Sequence, residues 1–207
     1  MKILITGFEP FGGETLNPAY EAVKFLPATI AGAQIIKTKI PTSFANSYLV
    51  VEQKIKTYHP DIILNTGQGG GRSEITIEKV AINFADARIP DNDGIQPSEE
   101  VLEPNGETAY FATIPVKQIV KNIQDHGISA SISYSAGTYV CNCLMYRVLF
   151  AATYKYPWLK AGFIHVPFSE EQIMNKPAGT PCMSVSTITK GLTYAIEAIV
   201  SEEKDNC

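Results

Sequence analysis

The sequence predicts an α/β fold, a single-domain open α/β/α sandwich built around a mostly parallel twisted sheet. Short apolar runs typical of buried strands alternate with amphipathic stretches typical of helices along the chain. The 207 residues suffice for one sizeable domain, and neither an internal repeat nor a linker-like stretch divides them, so we expect one domain over 1–207. Glycine-rich turns follow several predicted strands, as in sheets whose ligands bind beyond the carboxyl ends of the strands.

The first third of the chain predicts three strands with helices between them. A buried strand over 2–6 leads into the glycine-rich loop 7–14. Asn17 and Pro18 suit an N-cap and a first helical position, so a helix is expected from there to about Leu26. The other elements are a strand over 34–40, a helix over 46–57 capped by Ser43, and a strand over 61–65.

The remaining two thirds contain one ambiguous strand and one long irregular segment. Residues 74–83 alternate apolar and polar side chains, which predicts a strand with one wetter face and, taken alone, favours a solvent-facing Glu78. Residues 86–107, rich in Asp, Asn, Gly, Pro and Glu, are a candidate flap over a site. The other predicted elements are a helix from Pro115 to His126 ended by Gly127, strands over 128–133 and 161–166, helices over 141–155, 170–175 and 183–202, and a frayed tail over 202–207.

Composition argues against several functional classes. The formal net charge is −4 and the 17 Lys and Arg residues are scattered, which argues against a nucleic-acid binder. No apolar run approaches the ~18 residues that a membrane helix needs, and the residues after Met1 are too short for a signal h-region, so we expect no membrane association and a cytoplasmic location. The 3 histidines and 4 cysteines show no metal-ligand or disulfide-framework spacing, so no structural metal is expected.

Cys141 stands at a predicted strand–turn–helix junction. Small residues at 135–137 permit a sharp turn, and Leu144 and Val148 follow at helical spacing. In a first helical turn the pKa of a thiol can fall from about 8.5 to between ~3.5 and ~7.5. On position alone, a small apolar core cysteine is an equally good interpretation. His165, near the end of a predicted strand, could supply the base that a cysteine nucleophile requires.

Four segments are expected at the carboxyl edge of the sheet: the Phe8/Phe11 loop, the glycines at 67–71, the turn before Cys141, and His165. A nucleotide- or phosphate-binding module is the alternative that the glycines raise. It is disfavoured because Arg72 replaces the third glycine of G-x-G-x-x-G and a strand-like run follows. We expect the glycines to let the backbone approach a small ligand closely. A catalytically inactive scaffold is a weaker alternative.

Five segments, in order, resemble the pyroglutamyl peptidase I family, also called the pyrrolidone carboxyl peptidases. The match covers essentially the whole chain, and the segments include the opening signature and those of the family's catalytic glutamate, cysteine and histidine. The segments are GFEPFGGE at 7–14 with Asn17 and Pro18, GRSEITIEKVAIN at 71–83, DARIPDNDG at 86–94, SYSAGTYVCN at 133–142 and GFIHVPF at 162–168.

The resemblance implies a triad of Cys141, His165 and Glu78, with Cys143 as a bystander. It implies a cysteine exopeptidase that removes an N-terminal L-pyroglutamyl residue from peptides through a thioester acyl-enzyme, without metal or organic cofactor, in a homotetramer. Pairing with His165 and the helix end could then make the Cys141 thiolate the main species.

The resemblance also implies a substrate pocket for the lactam ring. Simpler roles are open for three of its members: Asn17 as a helix cap, and Phe8 and Phe11 as core residues under a loop. The implied substrate-binding residues are Phe8, Phe11, Asn17, Thr42, Gln68, Arg88, Ile89, Tyr139 and Val140.

Overall fold

The computed structural model describes residues 1–205, and Cys207, whose role the sequence leaves open, lies outside the described residues. Within that range the elements follow one another largely as the apolar pattern predicts. The strands are β1 (Lys2–Phe8), β2 (Thr29–Ile30), β3 (Ala33–Ile40), β4 (Ile62–Gln68), β5 (Ile75–Glu78), β6 (Val80–Ile82), β7 (Ala109–Phe111), β8 (Ala130–Ser133) and β9 (Lys160–Val166). The helices are α1 (Pro18–Phe25), α2 (Ser47–Tyr58), α3 (Val116–Asp125), α4 (Val140–Tyr154) and α5 (Val185–Asp205), with a 3₁₀ turn at Gln172–Asn175.

Seven strands form the central sheet in the order β2-β3-β1-β4-β9-β5-β8 among the described residues. Strands β3, β1, β4 and β9 run parallel to one another. Strand β5 is parallel to β8 but antiparallel to β9, and the short β2 is antiparallel to β3. The prediction of a mostly parallel sheet is confirmed, and its two antiparallel junctions are additional findings.

Both faces of the sheet are covered by helices. Ile3, Leu4 and Ile5 of β1 are all completely buried, although consecutive strand side chains point to opposite faces. Helix α5 packs against α1 and α3, whereas α2 packs against α4. The predicted α/β/α sandwich is therefore confirmed. None of the helices between residues 1 and 205 combines the length and the apolarity that crossing a bilayer requires.

The single strand expected over 74–83 is wrong, because the chain changes partners at Lys79. The Lys79 N–H donates to the Ser133 carbonyl at 2.7 Å, while the Lys79 carbonyl accepts from Ala112 N–H at 2.9 Å. Strand β5 therefore lies inside the sheet, and β6 leaves it to pair with β7 in a separate antiparallel ribbon. A solvent-facing Glu78 is also wrong, since all four residues of β5 are buried.

Three smaller differences concern the start of α2, the end of α5 and two short strands. Ser43 does not cap α2: its hydroxyl accepts from Asn46 N–H at 3.0 Å and donates to Asp93, which orders the turn before the helix. Helix α5 continues to Asp205, so the tail is helical beyond the frayed start expected at 202. The two short strands β2 and β7 carry too few residues for a readable alternation.

Candidate active site

Strands β1, β4 and β9 bring three of the expected segments to one edge. The register aligns Gly7 with Thr66 and Gly67 with His165, so the loops after β1 and β4 end beside the histidine. The turn before Cys141 arrives differently, because β8 runs opposite to β9. The predicted meeting of the four segments is confirmed, but a shared carboxyl edge explains only three of them.

An open cavity of about 1090 Å³ lies where these segments meet. Cys141 and His165 both line it. The Cys141 sulfur also lies against β4: a Cβ atom added at Gly67 would be 3.0 Å from it. A substrate in the cavity is thus exposed to a thiol and an imidazole at once.

Glu78 fixes the His165 ring through its Nδ1 atom. Its Nδ1 lies 2.7 Å from Glu78 Oε1, and both side chains are buried. The antiparallel pairing of β5 with β9 sets Thr76 opposite His165, and Glu78, two residues on, projects from the same face. Because a carboxylate only accepts, Nδ1 carries the proton and Nε2 is the free basic nitrogen of the neutral ring.

Arg72 is a further partner of Glu78. Its Nη1 donates to Glu78 Oε1 at 2.6 Å and to Thr76 Oγ1, and its Nη2 donates to the Ser135 carbonyl at 3.3 Å. Glu78 Oε1 therefore accepts two hydrogen bonds, whereas the buried Oε2 has no partner among the side chains that the structure describes. In the sequence, Arg72 is notable only for interrupting a glycine motif.

The environment lowers the pKa values of both the acid and the base. Burial acts to raise the pKa of Glu78, but the hydrogen bond and charge of His165 and the charge of Arg72 outweigh it and lower that pKa. Burial lowers the pKa of His165, and although Glu78 acts in the opposite direction, the net shift is downward. At neutral pH the pair is therefore a carboxylate and an uncharged imidazole.

Cys141 departs from the lowered pKa that its helix position predicts. It is the second residue of α4, after the N-cap Tyr139. Burial and the negative charge of Glu78 raise the pKa of the thiol to about 12, and the opposing charge of Arg72 does not cancel them. Desolvation thus opposes the helix dipole and favours the protonated thiol, and the thiolate that the resemblance implies stays a prediction.

Five of the nine residues implied as substrate-binding line the cavity. Phe11 and Tyr139 face each other at a ring-centroid distance of 6.0 Å and an interplanar angle of 38°. The cavity-lining residues of this set are Phe11, Gln68, Arg88, Ile89 and Tyr139.

The other four, Phe8, Asn17, Thr42 and Val140, are buried outside the cavity lining. Phe8 packs against Phe163 in the core. Asn17 caps α1, its Oδ1 accepting from Ala19 N–H at 3.1 Å, and Thr42 Oγ1 donates to the Glu9 carbonyl at 2.9 Å. Contact between these four residues and a ligand stays a prediction, and the hydrogen bonds of Asn17 and Thr42 fix the chain next to the cavity wall.

The glycines of the loop after β4 accommodate protein side chains. A Cβ at Gly70 would lie 2.5 Å from Phe168 Cζ, and one at Gly69 would lie 2.9 Å from Arg72 Cδ and 3.1 Å from His165 Cβ. Strand β5, rather than a helix, follows this loop. The loop therefore lacks the following helix N-terminus that would bind the phosphate of a nucleotide. Close packing around His165 and Arg72 explains the glycines instead.

Lys176, which the sequence analysis did not single out, also lines the cavity. Lys176 pairs with Glu14 at 2.5 Å, and Gln172 Nε2 donates to Gln68 Oε1 at 2.7 Å. These bonds connect residues 104 and 162 positions apart in the chain. No local pattern encodes pairs so distant, and 170–176 shows only the helical tendency that the 3₁₀ turn confirms.

The irregular segment 86–107 is fixed to the body of the protein at several points. The Tyr139 hydroxyl donates to the Pro90 carbonyl at 3.0 Å, and Asp91 Oδ2 accepts from Phe44 N–H at 2.8 Å. The segment contributes Arg88 and Ile89 to the cavity. The predicted irregular structure beside the site is confirmed, and the segment is a braced wall in this structure.

A thiol and a neutral imidazole lining one cavity, with the imidazole bonded to a buried carboxylate, are the equipment of a cysteine-type hydrolase. The α/β/α sandwich carries this site at the edge of its sheet. Comparison with known proteins gives the particular family.

The family model for pyroglutamyl peptidase matches residues 1–202. A pyrrolidone-carboxylate peptidase from Enterococcus faecalis is 54% identical over 205 residues, 99% of this chain and 96% of the relative. The crystal structure of pyroglutamyl peptidase I from Bacillus amyloliquefaciens superposes with a TM-score of 0.93 at 45% identity, covering 96% of this chain and 94% of that one. A mutant pyrrolidone carboxyl peptidase from Pyrococcus furiosus gives a TM-score of 0.93 at 42% identity, covering 98% and 99% of the two chains. The chain belongs to the pyroglutamyl peptidase family.

Proposed function

We propose that this protein is a cysteine exopeptidase that hydrolyses the amide bond after an N-terminal L-pyroglutamyl residue and releases pyroglutamate from peptides. Family membership supports the substrate, and the site supports the chemistry. The observation that carries the proposal is the contact of 2.7 Å between His165 Nδ1 and Glu78 Oε1, in a cavity that His165 shares with Cys141. That contact leaves Nε2 as an available base beside a nucleophile.

In the acylation half of the reaction, His165 Nε2 takes the proton of the Cys141 thiol as the sulfur attacks the scissile carbonyl carbon. The carbonyl oxygen becomes an oxyanion. The Cys141 N–H belongs by position to the first-turn groups without an intrahelical partner, so it can donate to that oxyanion. One such donor is typically worth about 3–4 kcal/mol. The imidazolium then protonates the leaving amine as the carbon–nitrogen bond breaks, which leaves a thioester.

In the deacylation half, neutral His165 removes a proton from water, and the resulting hydroxide attacks the thioester carbonyl. The carbon–sulfur bond breaks, pyroglutamate leaves, and the proton returns from His165 to Cys141. Glu78 touches neither reacting atom; it orients the ring and stabilises the imidazolium that forms twice per cycle.

Recognition of the lactam ring is assigned to the residues that line the cavity. A flat ring with one N–H and one C=O needs apolar walls and a few polar groups. Phe11, Ile89 and Tyr139 provide the walls, and Gln68 provides an amide. Arg88, on the braced segment 86–107, provides a positive charge in the cavity.

Homotetrameric assembly in the cytoplasm is part of the same proposal. The large aromatic side chains of Phe111, Tyr134 and Tyr154 are 66%, 71% and 58% exposed and offer apolar surface to other copies. A reducing compartment keeps a thiol nucleophile active. Light scattering of the purified chain, giving four times the mass of one chain, is the expected result.

Cleavage of an L-pyroglutamyl chromogenic amide tests the activity. The wild type should cleave it, iodoacetamide should block cleavage, and Cys141→Ser should abolish it. Cys182→Ser is the matched control, because Cys182 is half-buried like Cys141 but does not line the cavity. Full activity in Cys141→Ser, or equal inactivation in both variants, would refute the assignment.

A further inference from the structure

We infer that Arg72 is a positioning residue of this site, which shares one oxygen of Glu78 with His165 and thereby keeps the imidazole in its uncharged, basic form. The inference rests on the proposed function, since it concerns how the proposed base is held ready. Arg72 does not reach the reacting atoms and acts through Glu78.

The geometry is specific to a guanidinium. Nη1 and His165 Nδ1 bind the same Glu78 oxygen, at 2.6 Å and 2.7 Å. Nη2 simultaneously donates to the Ser135 carbonyl at 3.3 Å, in the turn that leads to Cys141. The planar guanidinium of Arg72 therefore connects the Glu78 carboxylate to the backbone turn that leads to Cys141.

The loop after β4 leaves space for the Arg72 side chain. A Cβ at Gly69 would lie 2.9 Å from Arg72 Cδ, 3.1 Å from its Nε and 3.1 Å from His165 Cβ. Contacts below about 3.4 Å require the neighbour to move, so only glycine at this position lets Arg72 pass beside His165. The Arg72 side chain is 28% exposed, whereas the carboxylate that it binds is fully buried.

The charge balance around Glu78 explains why a cation is needed there. A buried carboxylate facing only an imidazole would draw a proton onto that imidazole, because an ion pair compensates the buried charge. Arg72 supplies the compensation instead, and its charge lowers the pKa of Glu78, His165 and Cys141 alike. Glu78 and Arg72 are the charged groups that act on His165. The other charged or titratable side chains on the cavity wall are Cys141, Tyr139, Glu14, Asp86, Arg88 and Lys176.

Loss of the Arg72 charge should therefore shift the pKa values of its neighbours in a predictable direction. The pKa of His165 should rise, so that more of the base is protonated at neutral pH. The pKa of Cys141 should rise as well. The acid limb of the pH profile of kcat/KM, which His165 sets, then moves to higher pH, whereas a purely structural loss would reduce the height of the profile and leave this limb in place.

The test compares Arg72→Gln with Arg72→Lys and with Arg147→Gln. Arg147 is a matched control, because it is also a partly exposed arginine paired with a glutamate, Glu103, but it does not line the cavity. For Arg72→Gln we expect kcat/KM on a pyroglutamyl amide at pH 7 to fall about ten- to a hundredfold, the range typical of groups that orient a functional histidine. The acid limb should move to higher pH. Arg72→Lys should restore the position of the limb and part of the rate, and Arg147→Gln should change neither limb.

The rate of Cys141 alkylation by iodoacetamide at fixed pH values between about 7 and 9, followed by mass spectrometry, gives a second readout that needs no peptidase activity. Because the pKa of the thiol is raised to about 12, only a small thiolate fraction reacts there, and in Arg72→Gln the rate should fall. A folded Arg72→Gln with a wild-type acid limb and a wild-type alkylation rate would overturn the inference. If Arg72→Gln does not fold, Arg72→Lys is compared with a folded Arg72→Ala, and an acid limb displaced equally in both would overturn it too. Absence of wild-type peptidase activity together with the expected fall in alkylation rate would instead refute the proposed function alone.

Discussion

The proton on the Cys141 sulfur decides how this site begins its reaction. Burial and the charge of Glu78 raise the pKa of the thiol to about 12, and burial lowers the pKa of His165, so these surroundings favour a thiol and a neutral imidazole. They oppose an ion pair between the two before the attack. Specificity benefits, since a protonated thiol reacts slowly with the small electrophiles that attack thiolates.

Glu78→Gln tests the orienting carboxylate. The amide has the same shape but no charge, and its NH₂ group can face His165 Nδ1 and favour the wrong tautomer. We expect kcat to fall by about 10²–10⁴, as when the acid of a catalytic triad is replaced by its amide. Because Glu78 acts to raise the pKa of His165, its loss should move the acid limb of kcat/KM to lower pH, opposite to Arg72→Gln. Kinetics between pH 5 and 9 would show this, and an unchanged kcat would contradict the role.

Gly67→Ala tests the space beside the nucleophile. The new Cβ would lie 3.0 Å from Cys141 Sγ and 2.9 Å from Phe163 Cζ, so the sulfur must move. A displacement of about 1 Å at a reacting atom can cost about a hundredfold in rate. We therefore expect kcat to fall at least tenfold in a protein that still folds, as measured by kinetics beside thermal unfolding.

Gly162→Ala is the control for this prediction. Its Cβ would meet Ile114 Cγ1 at 2.5 Å in the core, away from the sulfur. It should destabilise the fold by about 1–3 kcal/mol through overpacking and leave the kcat of the folded fraction near that of the wild type. Equal kcat losses in both variants would show that the effect of Gly67→Ala is not local to Cys141.

At the scale of elements, the sequence predicts the features that local patterns encode and does not predict those that long-range contacts determine. Helix α1, with its Asn17 cap and Pro18, and helix α4, with its apolar spacing, are predicted to within one or two residues because the signals are local. The direction of β5 is not encoded locally, so neither its antiparallel pairing nor the burial of Glu78 could be predicted from its alternation. The resemblance to a family supplies Glu78, but not its pairing with Arg72 or the pKa of Cys141, which depend on burial.

The braced segment 86–107 gives a prediction about local stability. Asp91 is buried, and its carboxylate accepts from Phe44 N–H at 2.8 Å, Asp93 N–H at 2.9 Å and Ile95 N–H at 2.8 Å. Asp91→Ala removes these bonds and leaves the buried Phe44 N–H and two partly buried N–H groups without their acceptor, which should favour local opening by about 1–3 kcal/mol.

Arg88 is the one trypsin site within 86–107, so cleavage after it reports this opening. Cleavage in Asp91→Ala should be about ten- to a hundredfold faster than in the wild type, as measured by the appearance of the fragment ending at Arg88. Asp125→Ala, which removes an exposed aspartate paired with Lys121 on α3, should leave the rate unchanged. Equal rates in wild type and Asp91→Ala would mean that other contacts hold the segment.

At the scale of the whole molecule, the two helical layers are joined to the sheet mainly by apolar burial, and charge adds a pH dependence. Glu52 on α2 accepts from Lys155, at the end of α4, at 2.6 Å and from Lys56 at 2.7 Å. These bonds lower the pKa of Glu52 from 4.5 to about 2, against the opposing effect of burial. The unfolded chain then binds more protons than the folded chain between these two values, so stability from this group falls as the pH falls through that window.

Glu52→Gln should therefore lower the free energy of unfolding at pH 7 by about 1–2 kcal/mol. This figure lies below the full value of the pKa shift because both lysines are more than half exposed and solvent screens the pairs. In a chain of this size the melting temperature should fall by about 2–8 °C. The difference between variant and wild type should persist down to about pH 5 and shrink toward pH 2, where the wild-type carboxylate becomes protonated as well. Thermal unfolding followed by circular dichroism at several pH values measures this, with Glu21→Gln, which breaks a pair with Lys24 within α1, as the control expected to change little. A difference that stayed constant from pH 7 to pH 2 would mean that Glu52 stabilises the α2–α4 contact by packing, and that its charge contributes nothing.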